Sequence, residues 1–225
     1  MPEAMTRQQL LRMFTMLYFV QGVIQAYQLN FFKPHMSSAG IDTRRIGLVA
    51  SLALLPFVLK FIYGIISDRY NLFGKGHRAP YMFIGLVGTA TAFFGAYFVD
   101  PSIDFGVLAV VVLSATFMMA LFDTAADAYA VDVMDPEDHS VVQAYMTGGR
   151  AIGLISLSAV FGFMVDRVGY QPIFLVIGAL LLIPLFQVSR VRESVDRPPD
   201  QSFDWAAFRV MKEPHYLLFG LFLIG

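Results

Sequence analysis

Six apolar runs follow one another along the chain at residues 10–32, 46–67, 80–99, 105–131, 141–165 and 171–188, each bounded by charged or turn-forming residues. A helix of about 20 apolar residues matches the thickness of a bilayer's hydrocarbon core. The pattern therefore predicts an all-α membrane protein with six transmembrane helices. A seventh run opens at Tyr216 and reaches only Gly225, too short to cross. We expect residues 1–188 to form a six-helix bundle, 189–215 an interdomain linker and 216–225 the truncated start of a seventh helix. On that expectation the chain is a fragment of a longer protein.

The linker is rich in proline (Pro198, Pro199, Pro214) and evenly charged. Within it Phe203, Ala207, Val210 and Met211 fall at i, i+4, i+7 and i+8 beside Trp205. That spacing fits either a short amphipathic helix on the membrane surface or a flexible connection carrying a few aromatics. The first run has no small-x-small cleavage site and is longer than a signal h-region, so it reads as a retained span.

Composition agrees with lipid as the solvent. Of the 225 residues 57% are apolar and 15% charged, and the mean hydropathy is +0.62. A soluble domain of this size cannot hide so much apolar surface. The formal net charge of -1 gives no reason to expect nucleic acid as a partner. Cysteine is absent, which excludes disulfides, thiolate metal sites and a cysteine nucleophile. No His/Glu spacing suggests a metal, no nucleophile–base pair suggests an enzyme, and no cofactor is expected. His35, His77, His139 and His215 fall in or beside predicted loops and are expected to be solvated, as is the acidic turn Asp135-Pro136-Glu137-Asp138.

Orientation follows from the basic residues. With the N-terminus inside, the cytoplasmic segments carry Arg7, Arg12, Arg69, Lys75, Arg78, Arg190, Arg192, Arg197, Arg209 and Lys212. The outer segments carry only Lys33, Arg44, Arg45 and Arg167. The positive-inside rule then places the N-terminus in the cytoplasm, and the expected location is the plasma (inner) membrane.

An internal repeat is visible. Gly64-Ile-Ile-Ser-Asp68-Arg69 closes the second run and Gly162-Phe-Met-Val-Asp166-Arg167 closes the fifth. The same element thus ends the middle helix of each set of three, on opposite sides of the membrane. Two inverted three-helix repeats would produce this. The glycines are expected to allow close helix packing.

Gly64 to Arg78, read as G-x-x-x-D-R-Y-N-x-F-G-K-G-H-R, resembles the signature loop of the major facilitator superfamily. The stretch Leu55 to Gly64, Asp123-Thr-Ala-Ala-Asp127 and Asp132 to Glu137 are similar to the muropeptide permease and acetyl-CoA transporter family. Tyr18-Phe-Val-Gln21-Gly22-Val and Tyr63 to Asp68 are similar to the related folate–biopterin transporters. The resemblance covers nearly the whole chain and implies the N-terminal half of a twelve-helix transporter. It further implies a gating role for Gly64, Asp68, Arg69 and Arg78, and proton-driven movement of an organic, anionic solute. Muropeptide-like or acyl-CoA-like cargo comes first and folate or pterin second. A non-transporting assembly or pigment-delivery protein of the same fold is the reading from another class. Gly76-His77 replaces the usual run of arginines and the fifth span lacks a Gly-Pro pair, which leaves symport against antiport open.

Ionisable residues inside the spans carry the candidate chemistry. Lys60, Asp123 and Arg150 lie about 12–15 Å from the cytoplasmic ends of their helices, and Asp127 is one turn from Asp123 on the same face. An unpaired charge there costs at least about 2.5–3.5 kcal/mol. The four charges sum to zero, as expected of one balanced cluster. Either a carboxylate carries the coupling proton, switched by its distance from Lys60 or Arg150, or the four form a permanent ion-pair network. Arg150 is alternatively an anchor for an anionic solute. In the first span Tyr18, Gln21, Gln25 and Gln28 form one polar stripe at i, i+3, i+7 and i+10. It is read as lining a solute pathway, with interhelical hydrogen bonding as the alternative. Gly148, Gly149 and Gly153 around Arg150 are expected to bring the fifth helix close to a neighbour.

Overall fold

The computed structural model describes residues 5–193, and among these the secondary structure is entirely helical. α1 (Arg7–Ala26) opens with a capping box in which Thr6 and Gln9 satisfy each other's backbone N–H groups. It passes through a π turn (Tyr27–Phe31) into α2 (Phe32–Ser38). The second predicted span is broken into α3 (Thr43–Leu52), α4 (Leu55–Val58) and α5 (Lys60–Arg69). Pro56 has no N–H to give the carbonyl of Leu52, so the helix yields there. α6 (Ala79–Ala96), α7 (Pro101–Val133), α8 (His139–Val168) and α9 (Gln171–Val188) follow. The amphipathic segment around Trp205, His215 and the start of the seventh span lie outside the described residues.

Among the described residues, five helical stretches are long and apolar enough to cross a membrane: Thr43–Arg69, Ala79–Ala96, Pro101–Val133, Pro136–Val168 and Gln171–Val188. With this composition the chain is an integral membrane protein. The first predicted run is also helical, but its amides keep it out of that apolar set. The reason lies in its position. α1 is packed against α7, α8 and α9, and Phe14, Leu17, Tyr18, Gln21 and Ile24 are all buried. A helix screened by its neighbours need not present an apolar surface to lipid.

Residue pairings fix the local directions of the helices. Tyr18 and Gln21 of α1 and Gln28 of the π turn that continues it meet Asp127, Asp123 and Thr116 of α7. As one number rises the other falls, so α1 and α7 are antiparallel. Against α8 the numbers rise together, with Gly149 on Thr15 and Gly153 on Phe19, so α1 and α8 are parallel. This second contact is backbone on backbone. A Cβ at Gly149 would lie 2.5 Å from the Thr15 carbonyl oxygen, and one at Gly153 or Gly22 would collide with the opposing main chain. Gly22, on the first span, was not singled out from the sequence. Gly148, expected to share this role, faces open space. The repeat glycines Gly64 and Gly162 do not serve as close-packing positions within this chain either. A Cβ at Gly64 meets nothing within 4 Å, and one at Gly162 meets only the Phe31 ring at 4.0 Å.

The second span contrasts with this tight pair. It packs mainly on α7 through α5 and leaves Leu48, Leu54, Val58 and Phe61 exposed.

At the end away from Arg78, one expectation is overturned. His35 is not solvated but buried, with Nδ1 2.9 Å from the Tyr27 hydroxyl and its ring stacked 4.6 Å from Tyr170. The helix does not stop at Phe32 but carries on through α2, which turns His35 inward. His77 and His139 are half-buried and bond to the carbonyls of Ser67 and Met134. In the acidic turn Asp138 is not merely solvated, since it holds Arg7 through two bonds of 2.6 and 2.7 Å.

Candidate functional site

Three helices converge on one cluster of charges inside the bundle. Lys60, the first residue of α5 after the break at Leu59, places Nζ 2.5 Å from Oδ2 of Asp123 and 3.0 Å from Oδ2 of Asp127. The two carboxylates are one turn apart on α7, so a single ammonium reaches both. α1 completes their coordination: the Gln21 amide donates to Asp123 Oδ1 and the Tyr18 hydroxyl donates to Asp127 Oδ1. Asp123 is buried, with 5% of its side chain exposed, whereas Asp127 is 41% exposed and Lys60 33%. The cluster therefore has a dry end at Asp123 and a wetter one at Asp127.

Arg150 does not join that ion-pair network. Its guanidinium lies over the Tyr18 ring, with Cζ 4.7 Å from the centroid, and its buried Nε has no hydrogen-bond partner among the described residues. The expected group of four balanced charges is thus Lys60 with two carboxylates, carrying -1, and an arginine behind the tyrosine. Spacing along the helices placed Arg150 at the right depth but gave no information about its azimuth. The glycine contact decides that azimuth, because Gly22 abuts the backbone of Arg150 and Leu154.

Of the polar stripe, Gln21 is buried against Asp123, while Gln25 and Gln28 are half-buried. Gln28 donates to the Thr116 hydroxyl at 3.4 Å. Gln28 lies in the π turn, and two residues on, within the same turn, Asn30 donates to Ser158 of α8 at 2.9 Å. Two of the four stripe residues, Tyr18 and Gln21, therefore serve the carboxylates directly.

A second cluster surrounds Arg78, just before α6. Its guanidinium lies 2.5 Å from Asp68, 2.9 Å from Asp132 and 2.6 Å from the Ser67 hydroxyl. Only 5% of Arg78 is exposed, so these charge-assisted bonds are shielded from water. The backbone N–H groups of Arg78 and Ala79 donate to one carboxylate oxygen of Glu193, at 2.8 and 3.0 Å. Glu193 thereby caps α6 from far along the chain. The ends of α5, α6 and α7 and the segment after α9 are tied together at this point. Gly76 allows it: its φ is +116°, and a Cβ there would collide with the Glu193 side chain.

Arg69 takes no part in this tie and lies exposed beside the Tyr70 ring. Asp166 and Arg167, the matching pair of the repeat, are also exposed, and Arg167 sits on its neighbour Phe163. Sequence reasoning missed Ser67, Asp132 and Glu193 as partners of the loop. The one available signal was that each is a polar residue close to a predicted span end.

The model of the BT1 family matches residues 21–223 of this chain. The chain belongs to the BT1 family. A folate-biopterin transporter of Synechocystis sp. is 26% identical over 206 residues, which cover 86% of this chain and 41% of that protein. The anhydromuropeptide permease of Escherichia coli is 23% identical over 184 residues, covering 81% and 37%. A probable folate-biopterin transporter of Arabidopsis thaliana is 26% identical over 193 residues, covering 82% and 43%. The chain spans about two fifths of the length of these curated relatives. The BT1 match begins at Gln21, so it takes in Lys60, both carboxylates, Arg150 and the Arg78 loop, while Tyr18 lies just before it. Among the described residues no group of His, Asp and Glu is arranged to hold a metal ion.

Proposed function

We propose that this chain is the N-terminal half, two inverted three-helix repeats, of a proton-coupled secondary transporter of the major facilitator type. It moves a carboxylate-bearing organic solute by alternating access, with its N-terminus in the cytoplasm and its location the plasma membrane. Its partners are that solute, protons, the bilayer and a C-terminal half that continues beyond residue 225. This is transport and not catalysis.

The observation that carries the reading is Lys60 shared between Asp123 and Asp127. One lysine against two carboxylates leaves a charge of -1 inside apolar helices, and a single proton neutralises it. Such groups within a membrane are retained for function more often than for stability. Lys60 stands on the second span, which packs mainly on α7, directly after a break. Rocking of α5 against α7 moves the ammonium and thereby switches the proton affinity of the pair. Arg150, whose buried Nε is unpartnered, supplies the anchor for the solute's carboxylate, and Gln25 and Gln28 extend the polar path. The Arg78 tie to Asp68, with Gly64 and Arg69 beside it on the last turns of α5, acts as the cytoplasmic gate.

Names of relatives support two cargo types, folate or biopterin and anhydromuropeptide. Folates and muropeptides both bear carboxylates on a larger polar body, which fits one arginine anchor. Acyl-CoA-like cargo presents phosphates to the same arginine. The test is uptake of labelled folate and of anhydromuropeptide by the full-length protein in proteoliposomes, with and without a protonophore. Uptake that collapses with the protonophore and is lost in both Asp123→Asn and Asp127→Asn is expected. Normal coupling in both variants removes the carboxylates from the mechanism. No uptake of any candidate solute favours an assembly or pigment-delivery role.

A further inference from the structure

Arg150 and Asp127 are not in contact, yet both touch Tyr18 from opposite sides. The guanidinium lies on the ring face and the hydroxyl donates to the carboxylate. Backbone packing makes this arrangement stiff. Gly22, one turn along α1 from Tyr18, is pressed against the main chain of Arg150 and Leu154, and Gly149 and Gly153 seat α8 on Thr15 and Phe19. The two backbones are in direct contact at this point, which leaves the arginine side chain as the flexible part that meets a ligand.

We propose that Tyr18 is the positioning residue that couples solute binding at Arg150 to proton uptake on the Asp123–Asp127 pair. The inference rests on the transporter reading and adds the direction of coupling. A cation over an aromatic face draws electron density from the ring and makes the phenol a stronger hydrogen-bond donor. While Arg150 is unliganded, Tyr18 holds Asp127 as a carboxylate. A carboxylate of the solute that pairs with Arg150 neutralises or withdraws the cation, and the Tyr18 hydroxyl then donates less strongly. Asp127 takes a proton from water on the side open at that moment and releases its hold on Lys60. The same proton leaves to water on the other side when the solute departs and Arg150 returns to the ring.

The groups around Asp127 are few. Lys60 faces it from α5, Tyr18 from α1 and Asp123 from its own helix, with Arg150 of α8 behind the tyrosine ring. Tyr18 is the one among them that links the arginine to the pair. Solute and proton therefore bind cooperatively, which is symport. Couplings of this kind typically amount to about 5- to 150-fold in affinity.

Tyr18→Phe keeps the ring under Arg150 and removes only the donor to Asp127. In full-length protein the probe is labelled folate, with anhydromuropeptide run in parallel. Two ratios are read: proton-driven accumulation over solute exchange in proteoliposomes, and protons taken up per folate bound by purified protein, followed with a pH dye. Both are normalised to protein that binds, so misfolded molecules do not enter. We expect each ratio to fall at least tenfold in Tyr18→Phe. Ratios equal to wild type overturn the role of Tyr18 while leaving the transporter reading intact. A wild-type protein that exchanges neither probe overturns both.

Discussion

Replacing Lys60 by Met removes the only cation among the described residues that pairs with Asp123 and Asp127 and keeps the apolar stem of the side chain. Asp123 is then left 5% exposed with Gln21 as its remaining polar contact. Removing one partner of a buried ion pair typically costs about 3–5 kcal/mol. Lys60 is one third exposed, so water already screens part of its interaction, and about 2–3 kcal/mol is the reasonable figure. A ceiling of about 4 kcal/mol exists, because an ordinary carboxyl at pH 7 can be neutralised for roughly that much. For a domain of this size each kcal/mol moves the midpoint by about 2–4 °C. Lys60→Met should therefore lower the thermal unfolding midpoint in mild detergent at pH 7 by roughly 4–12 °C. The double variant Lys60→Met/Asp123→Asn no longer buries an unpaired charge and should recover half or more of the loss. Equal midpoints for the single and double variants would refute the idea that the lysine compensates a buried charge. The strength of the cycle is that both variants disturb packing equally.

Three further predictions concern packing and pH. Gly153→Val should push α1 from α8 and lower stability by about 3 kcal/mol or more, since the clash is with main chain that cannot turn aside. Gly64→Ala, where a Cβ meets nothing within 4 Å, should leave the unfolding midpoint of this half within about 1 °C, on the order of the few tenths of a kcal/mol typical of open sites. Burial pushes the His35 imidazole down to about 4, with Asp100 opposing weakly. The unfolded chain binds the proton more tightly, so stability is full above about pH 6.5 and falls as the pH drops from there toward 4. The loss is at most about 3 kcal/mol, and His35→Phe, which keeps a ring beside Tyr170, should flatten that part of a stability–pH curve. A His35→Phe profile as steep as wild type assigns the pH dependence to other groups.

The sequence by itself determined where the long apolar helices lie, five of which are long and apolar enough to cross a membrane among the described residues, because a bilayer imposes one length and one polarity on whatever crosses it. Each predicted run begins or ends within a few residues of an observed helix, even where Pro56 breaks the second into three pieces. It also determined which residues are chemically unusual, since Lys60, Asp123, Asp127 and Arg150 stand out against an apolar background. Their pairing was beyond it. Helical spacing gives the depth of a residue but not the direction in which its helix is turned toward its neighbours. Only the tertiary structure decided that Lys60 reaches both carboxylates while Arg150 reaches Tyr18. The close approach of Gly149 and Gly153 was expected, but that its partner is α1, and that Glu193 caps α6, were hidden for the same reason. Both contacts join residues more than a hundred positions apart, and no local pattern records contacts made at that separation.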